Sequence, residues 1–113
     1  MTEVVLVRQK HHPGKTEKLR AWCDELEARE DEVFETLENE GVHTESRFLR
    51  STDDGDFLFT FMEAEDIAAS KKAVEESEFD IDDDHAVVMA DVIVEGSTEL
   101  LVPLDHFSHP ARP

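Results

Sequence analysis

The chain has a single cysteine, Cys23, in 113 residues, which excludes an intrachain disulfide and agrees with a reducing compartment. A lone cysteine of this kind is expected in the core, as a small apolar side chain. Basic residues are scarce: 11 stand against 29 acidic ones, for a formal net charge of −18, and only five are lysines. Phosphate contacts require a basic surface, so nucleic-acid binding is disfavoured. No stretch approaches the roughly 18 apolar residues of a membrane span. Met-Thr-Glu ahead of Val4–Val7 offers no basic leader and no long apolar run, so no signal peptide is expected. Repeats and low-complexity linkers are lacking, which leaves one domain over residues 1–107 and a tail over 108–113.

What the chain does have is acid, spread through every apparent element. Such a surface repels itself in dilute buffer. Molar salt shortens the Debye length to about 3 Å and removes most of that penalty. The expectation is a cytoplasmic protein of a salt-accumulating halophile. An acidic mimic of nucleic acid would concentrate its charge on one face, and these acids are dispersed.

Apolar residues make up 39% and include seven Phe and one Trp, so a core can be built. A first strand is expected over Val4–Lys10, closed by His12-Pro13-Gly14. A helical pattern follows from Thr16 to Asn39 and stops at Gly41; at about 1.5 Å per residue its length invites a bend or break. Val42–Ser51 and Asp56–Glu63 read as two strands around Thr52-Asp53-Asp54-Gly55, a hairpin signal. A shorter helix is expected over Glu65–Glu76. Over Ile81–Val94 the run His85-Ala86-Val87-Val88-Met89 suits helix or strand, and a third helix is preferred because Ile81, His85, Val88 and Val92 share one face. Thr98–Phe107 is expected to be the last strand. The order is β-α-β-β-α-β with an extra helix before the last strand: an α+β, ferredoxin-like plan with a four-stranded antiparallel sheet.

Three strands are apolar on both faces. Val4 and Leu6 alternate with Val5 and Val7, Phe57, Phe59 and Phe61 with Leu58 and Met62, and Leu100, Val102 and Leu104 with Leu101 and Phe107. An antiparallel sheet with one wet face should alternate cleanly. The second face needs a cover that one chain cannot supply, so a homodimer packing sheet against sheet is expected.

Several short motifs point the same way: His12-Pro13-Gly14-Lys15 after the first strand, Arg29-Glu30-Asp31-Glu32, Glu40-Gly41-Val42 leading to Glu45-Ser46, Gly55-Asp56-Phe57-Leu58, Ala64-Glu65-Asp66, and Ile81-Asp82 with His85. With them the chain resembles the dimeric α+β barrel superfamily, and within it a family of small, functionally uncharacterised domains. The resemblance implies the fold and the dimer. Relatives in that superfamily include cofactor-independent monooxygenases, haem-degrading enzymes and catalytically silent proteins, so it implies no single activity.

Candidate chemistry lies where a polar group interrupts an apolar face. On a wheel at about 100° per residue, Leu19, Trp22, Cys23, Leu26, Val33 and Leu37 form one stripe. Glu30 falls near its centre and Arg29 at its edge, and His85 lies on the stripe of the third helix. Glu30 and His85 are therefore the candidate catalytic pair, able to serve acid–base chemistry or to hold a polar ligand. Arg8, Arg29, Arg47 and Trp22 are the candidate ligand-binding residues, with Arg50 a weaker one. Arg8, Lys10, Lys15, Lys18 and Arg20, with His11 and His12, crowd the start of the long helix and suggest a small anion site there.

Metal readings are weak. His11 and His12 would face opposite ways on a strand, as would His106 and His109. No zinc pattern is present, and Asp80, Asp82 and Asp84 lack the glycine of a calcium loop. No metal and no haem, flavin or nicotinamide cofactor is expected. The function these residues suggest is small-molecule binding between sheet and helices. Alternatives are a cofactor-independent oxygenase or isomerase using His85 and Glu30, and a non-catalytic structural or stress-associated module.

Overall fold

The computed structural model describes residues 2–112. Eight elements follow one another: β1 (Glu3–Lys10), α1 (Thr16–Ala28), α2 (Glu30–Glu40), β2 (Val42–Thr52), β3 (Gly55–Ala64), α3 (Ile67–Glu75), α4 (Asp80–Val92) and β4 (Glu99–Leu101). The four strands form one antiparallel sheet in the order β2-β3-β1-β4. This is the ferredoxin-like arrangement that the element order predicts.

The long helical pattern breaks in two at Arg29, which leaves helical geometry at φ −106°, ψ 34°. Its N–H is shared between the carbonyls of Glu25 and Leu26, while its own carbonyl accepts from Val33 to start α2. Gly41 ends α2 in the left-handed conformation, φ 68°, and donates back to Glu38 and Leu37. That is a C-terminal stop that glycine adopts at little steric cost. The β2–β3 hairpin turns at Asp53-Asp54, with the Thr52 hydroxyl donating to the Gly55 carbonyl at 2.8 Å. Asp66 caps α3 by accepting the Ala69 N–H. Asp80, Asp82 and Asp83 stand in the first turn of α4, where negative charge favours the helix dipole.

The helices cover one sheet face only. Leu58 on that face, Leu19 of α1 and Val92 of α4 make the central cluster, flanked by Cys23, Val88, Met89 and Ile93. Strand register places Glu45, Arg47 and Leu49 of β2 on this face, opposite Met62, Thr60 and Leu58. The other face carries Leu6 and Arg8 of β1 with Phe57, Phe59 and Phe61 of β3 and Phe48 of β2. No helix packs there, and Phe48 is 58% exposed.

The last strand is far shorter than the expected Thr98–Phe107. It pairs with β1 only from Glu99 to Leu101. Pro103 has no N–H to continue the ladder, and past β4 the large apolar side chains stand in solvent, with Val102 81% exposed, Leu104 fully exposed and Phe107 87% exposed. The second helix is also trimmed, beginning at Ile67 because Asp66 serves as its cap.

Candidate functional site

Trp22 is the second residue of the α1 apolar stripe and is almost fully buried, so its indole N–H needs a partner. It donates to Nδ1 of His85 on α4 at 2.9 Å. The two rings lie 6.0 Å apart at a tilt of 38°. An indole can only donate, so His85 Nδ1 must be the unprotonated nitrogen. Burial, aided by the positive charge of Arg47, pushes the His85 pKa down to about 4. His85 is thus neutral at ordinary pH and carries its proton on Nε2. In this tautomer it is a hydrogen-bond donor to a ligand, not a base.

Arg47 reaches the same layer from β2. Its Nη2 lies 2.6 Å from Glu45 Oε1, and both side chains are only about a fifth exposed, at 22% and 20%. Arg47 also lines a cleft of about 430 Å³ between α1 and the β2–β3 hairpin, together with Thr16, Leu19, Arg20, Cys23 and Leu49. Cys23 is partly buried, and burial pushes its thiol pKa up despite Arg47. It is not activated as a thiolate.

The carboxyl group that belongs to this layer is Glu40, not Glu30. Glu40 is half-buried at the end of α2, and its pKa is pushed up to about 7, first by burial and then by the nearby charges of Asp82 and Glu45. Arg47 and a hydrogen bond with Thr36 oppose that rise. Its backbone is held by the buried Ser70 hydroxyl, which donates to the Glu40 carbonyl at 2.6 Å. The signal was present in the sequence: Glu40 continues Val33 and Leu37 at i+7 and i+3, the spacing of an apolar stripe.

Glu30 stands exposed in the first turn of α2, beside a shallow depression formed by residues 28–32. The wheel that centred it assumed an unbroken helix, and the break at Arg29 resets the phase. Arg29 itself ties the surface together, with bonds to Glu25 of α1, Glu32 of α2 and Asp84 of α4. It stands 6.0 Å from the Trp22 ring and closes the outer side of that residue. Arg8 is on the opposite sheet face, paired with Glu99 and lying 4.3 Å over the Phe57 ring. It is therefore separated from His85 by the sheet. Arg50 is exposed on that same face.

Most of the basic cluster is paired within the chain: Lys15 and Lys18 share Asp91, at 3.1 and 2.7 Å, Arg20 pairs with Glu17 and Arg8 with Glu99. His11 is buried, with Nδ1 on the Thr16 hydroxyl at 2.9 Å, and that hydroxyl donates in turn to Asp56. Among the described residues no group of three or more His, Cys, Asp or Glu is arranged to hold a metal ion. Of the suspected calcium acids, Asp82 accepts from Ser77 and Asp84 from Arg29.

Residues 2–109 match the model of a family of unknown function, DUF6176. A search of curated proteins finds no match. Among solved structures, Rv0793 from Mycobacterium tuberculosis is similar at TM-score 0.57 and 20% identity, over 96% of this chain and 100% of that one. A conserved protein from Methanosarcina mazei Go1 is similar at TM-score 0.55 and 16% identity, over 89% of each chain. A protein from Chloroflexus aurantiacus J-10-fl, provisionally assigned as an antibiotic biosynthesis monooxygenase, matches at TM-score 0.55 and 12% identity, over 96% of this chain and 98% of its own. At such identities the likeness shows a common fold, the ferredoxin-like α+β fold of these proteins. No helix among the described residues is long and apolar enough to cross a membrane.

Proposed function

The chain belongs to this family of unknown function, and on that premise we propose that it binds a small organic molecule between α1 and the sheet. The observation that carries the reading is the buried Trp22–His85 pair in the field of Arg47, which itself lines the cleft with Leu19, Cys23 and Leu49. A neutral imidazole whose Nδ1 is occupied offers Nε2–H to a carbonyl or other acceptor. Glu45 already neutralises Arg47, so the ligand it favours is polar and uncharged at that end, with an apolar body for the cleft beside Leu19 and Leu49. The test is a thermal-shift panel of small carbonyl and aromatic metabolites in molar KCl. Stabilising ligands are expected, and His85→Ala should abolish their shift. A panel without a hit, or hits indifferent to His85, would overturn the reading.

A second reading, cofactor-independent oxygenation or isomerisation, draws support from Glu40, a half-buried carboxyl that exchanges its proton near neutral pH. In that case Glu40 acts as the base and His85 as the group that polarises the substrate carbonyl. Turnover of a bound ligand that Glu40→Gln stops while binding persists would support it.

The assembly belongs to the same proposal. A homodimer closing the two uncovered sheet faces on each other accounts for Phe48 and Leu101, exposed at 58% and 36%. The charge of −18 supports a home in the salt-rich cytoplasm of a halophile, an archaeon by the same reading. Light scattering in molar KCl should return twice the chain mass.

A further inference from the structure

Glu63 is the most deeply buried carboxylate in the fold, at 2% exposure, and it stands on the uncovered face near the end of β3. Its partners come entirely from the two ends of the chain. The Thr2 hydroxyl donates at 2.7 Å, His106 Nε2 stands at 3.5 Å, and Arg112 Nη2 reaches both oxygens at 3.1 and 3.3 Å. Arg112 arrives by way of a local turn. Its N–H donates to the His109 carbonyl at 3.0 Å, Pro110 occupies the second turn position, and the Ala111 N–H donates to His109 Nδ1. The segment after β4 is therefore tied at its far end, although its apolar side chains point outward: Val102, Leu104 and Phe107 are 81–104% exposed.

This geometry is unusual for a tail. A strand extension that carries three exposed large apolar groups would be expected to stay mobile, yet its Arg112 guanidinium closes on one buried carboxylate, with the His106 ring 3.5 Å away. Such charge-assisted bonds are the strong ones. An arm fixed before association loses less conformational freedom when it docks. Its own sheet does not absorb it, since Phe48 and the arm are exposed together in the same chain. A second copy supplies the complementary pair, an apolar face for the arm and an arm for the face, in one self-matching contact.

We infer that the Thr2–Glu63–Arg112 clamp, with His106, holds residues 102–112 as a preformed arm that docks on a second copy of this chain. The inference rests on the dimer proposed above and adds the residues that set its affinity. Glu63 is a positioning residue here: it touches the arm, and the arm makes the contact.

The test measures the dimer dissociation constant in molar KCl by sedimentation, for the full chain and four variants. Glu63→Gln and Arg112→Gln should each weaken the dimer about tenfold, a loss of one charge-assisted contact expressed as affinity. The double variant should be no weaker than either single one, because both remove the same bond. A chain ending at Phe107 should behave like Arg112→Gln, which keeps the inference falsifiable if Glu63→Gln misfolds. Wild-type affinity in that shortened chain and in Arg112→Gln would overturn the clamp and leave the dimer standing. A monomeric wild-type chain at every concentration would overturn the dimer and the clamp together.

Discussion

His85 is neutral at ordinary pH because the helix layer denies its charged form both water and an acceptor, and Trp22 has taken Nδ1. The same is true of His11, whose pKa burial lowers despite Asp56, and whose Nε2 is buried without a partner. For both, the folded pKa lies below the unfolded value of 6.5. Their contribution to stability is complete above pH 6.5 and is lost as the pH falls, for His85 toward about 4. Urea unfolding from pH 7 to 4 should show that decline, and His85→Gln should flatten part of it. Truncation to Ala strands the indole N–H and should cost roughly 1–3 kcal/mol, whereas Gln, whose carbonyl can accept, should cost less. Glu40 acts in the opposite direction. Its folded pKa of about 7 exceeds the ordinary 4.5, so wild-type stability erodes as pH rises through that interval. Glu40→Gln should remove this erosion, a difference visible in melting curves at pH 5 and pH 8.

At the scale of elements, the break between α1 and α2 decides the site. It turns Glu30 to solvent while leaving Val33, Leu37 and Glu40 on the sheet side. The break is visible in the sequence only as excessive length. It falls at Arg29, whose side chain meets Asp84 of α4, a residue 55 positions away. Gly41 can be tested alone. Its φ of 68° suits glycine, while an added Cβ would meet nothing closer than 4.0 Å. Gly41→Ala should therefore cost about 1–2 kcal/mol of purely conformational strain, measurable by denaturant unfolding. The final strand shows the reverse lesson. The apolar alternation through Thr98–Phe107 is real, but β4 stops at Leu101, two residues before Pro103, which has no N–H to extend the ladder, although β1 continues past Leu6 to Glu3.

At the scale of the molecule, a charge of −18 on 113 residues makes self-repulsion the term most open to solvent control. Most ion pairs here are half-exposed, among them Lys18–Asp91 and Arg8–Glu99, and each contributes little. The expected outcome is a melting temperature that climbs from dilute buffer to molar KCl and levels off once the Debye length falls to about 3 Å. A melting temperature that falls with salt would mean that the ion pairs outweigh the repulsion.

The sequence by itself determined the element order, the sheet plan, the hairpin and the stop at Gly41, and for Ile81–Val94 it favoured helix over strand without deciding between them. These depend on periodicity and turn chemistry, which act over a few residues. It also named His85, a polar group that stands out on an apolar stripe in one dimension, with Trp22 and Arg47 as further candidates. Tertiary structure alone decided their chemistry. The tautomer of His85 depends on an indole 63 positions away, and Glu40 holds its proton toward neutral pH first through burial and then through acids on α4 and β2. Arg8 lost its place because strand parity fixes the face and only the helices choose which face is covered. The acid excess, legible at once, hid Glu40 and Glu63 among 29 acidic residues. Burial distinguishes those two, and burial is a property of the packed chain.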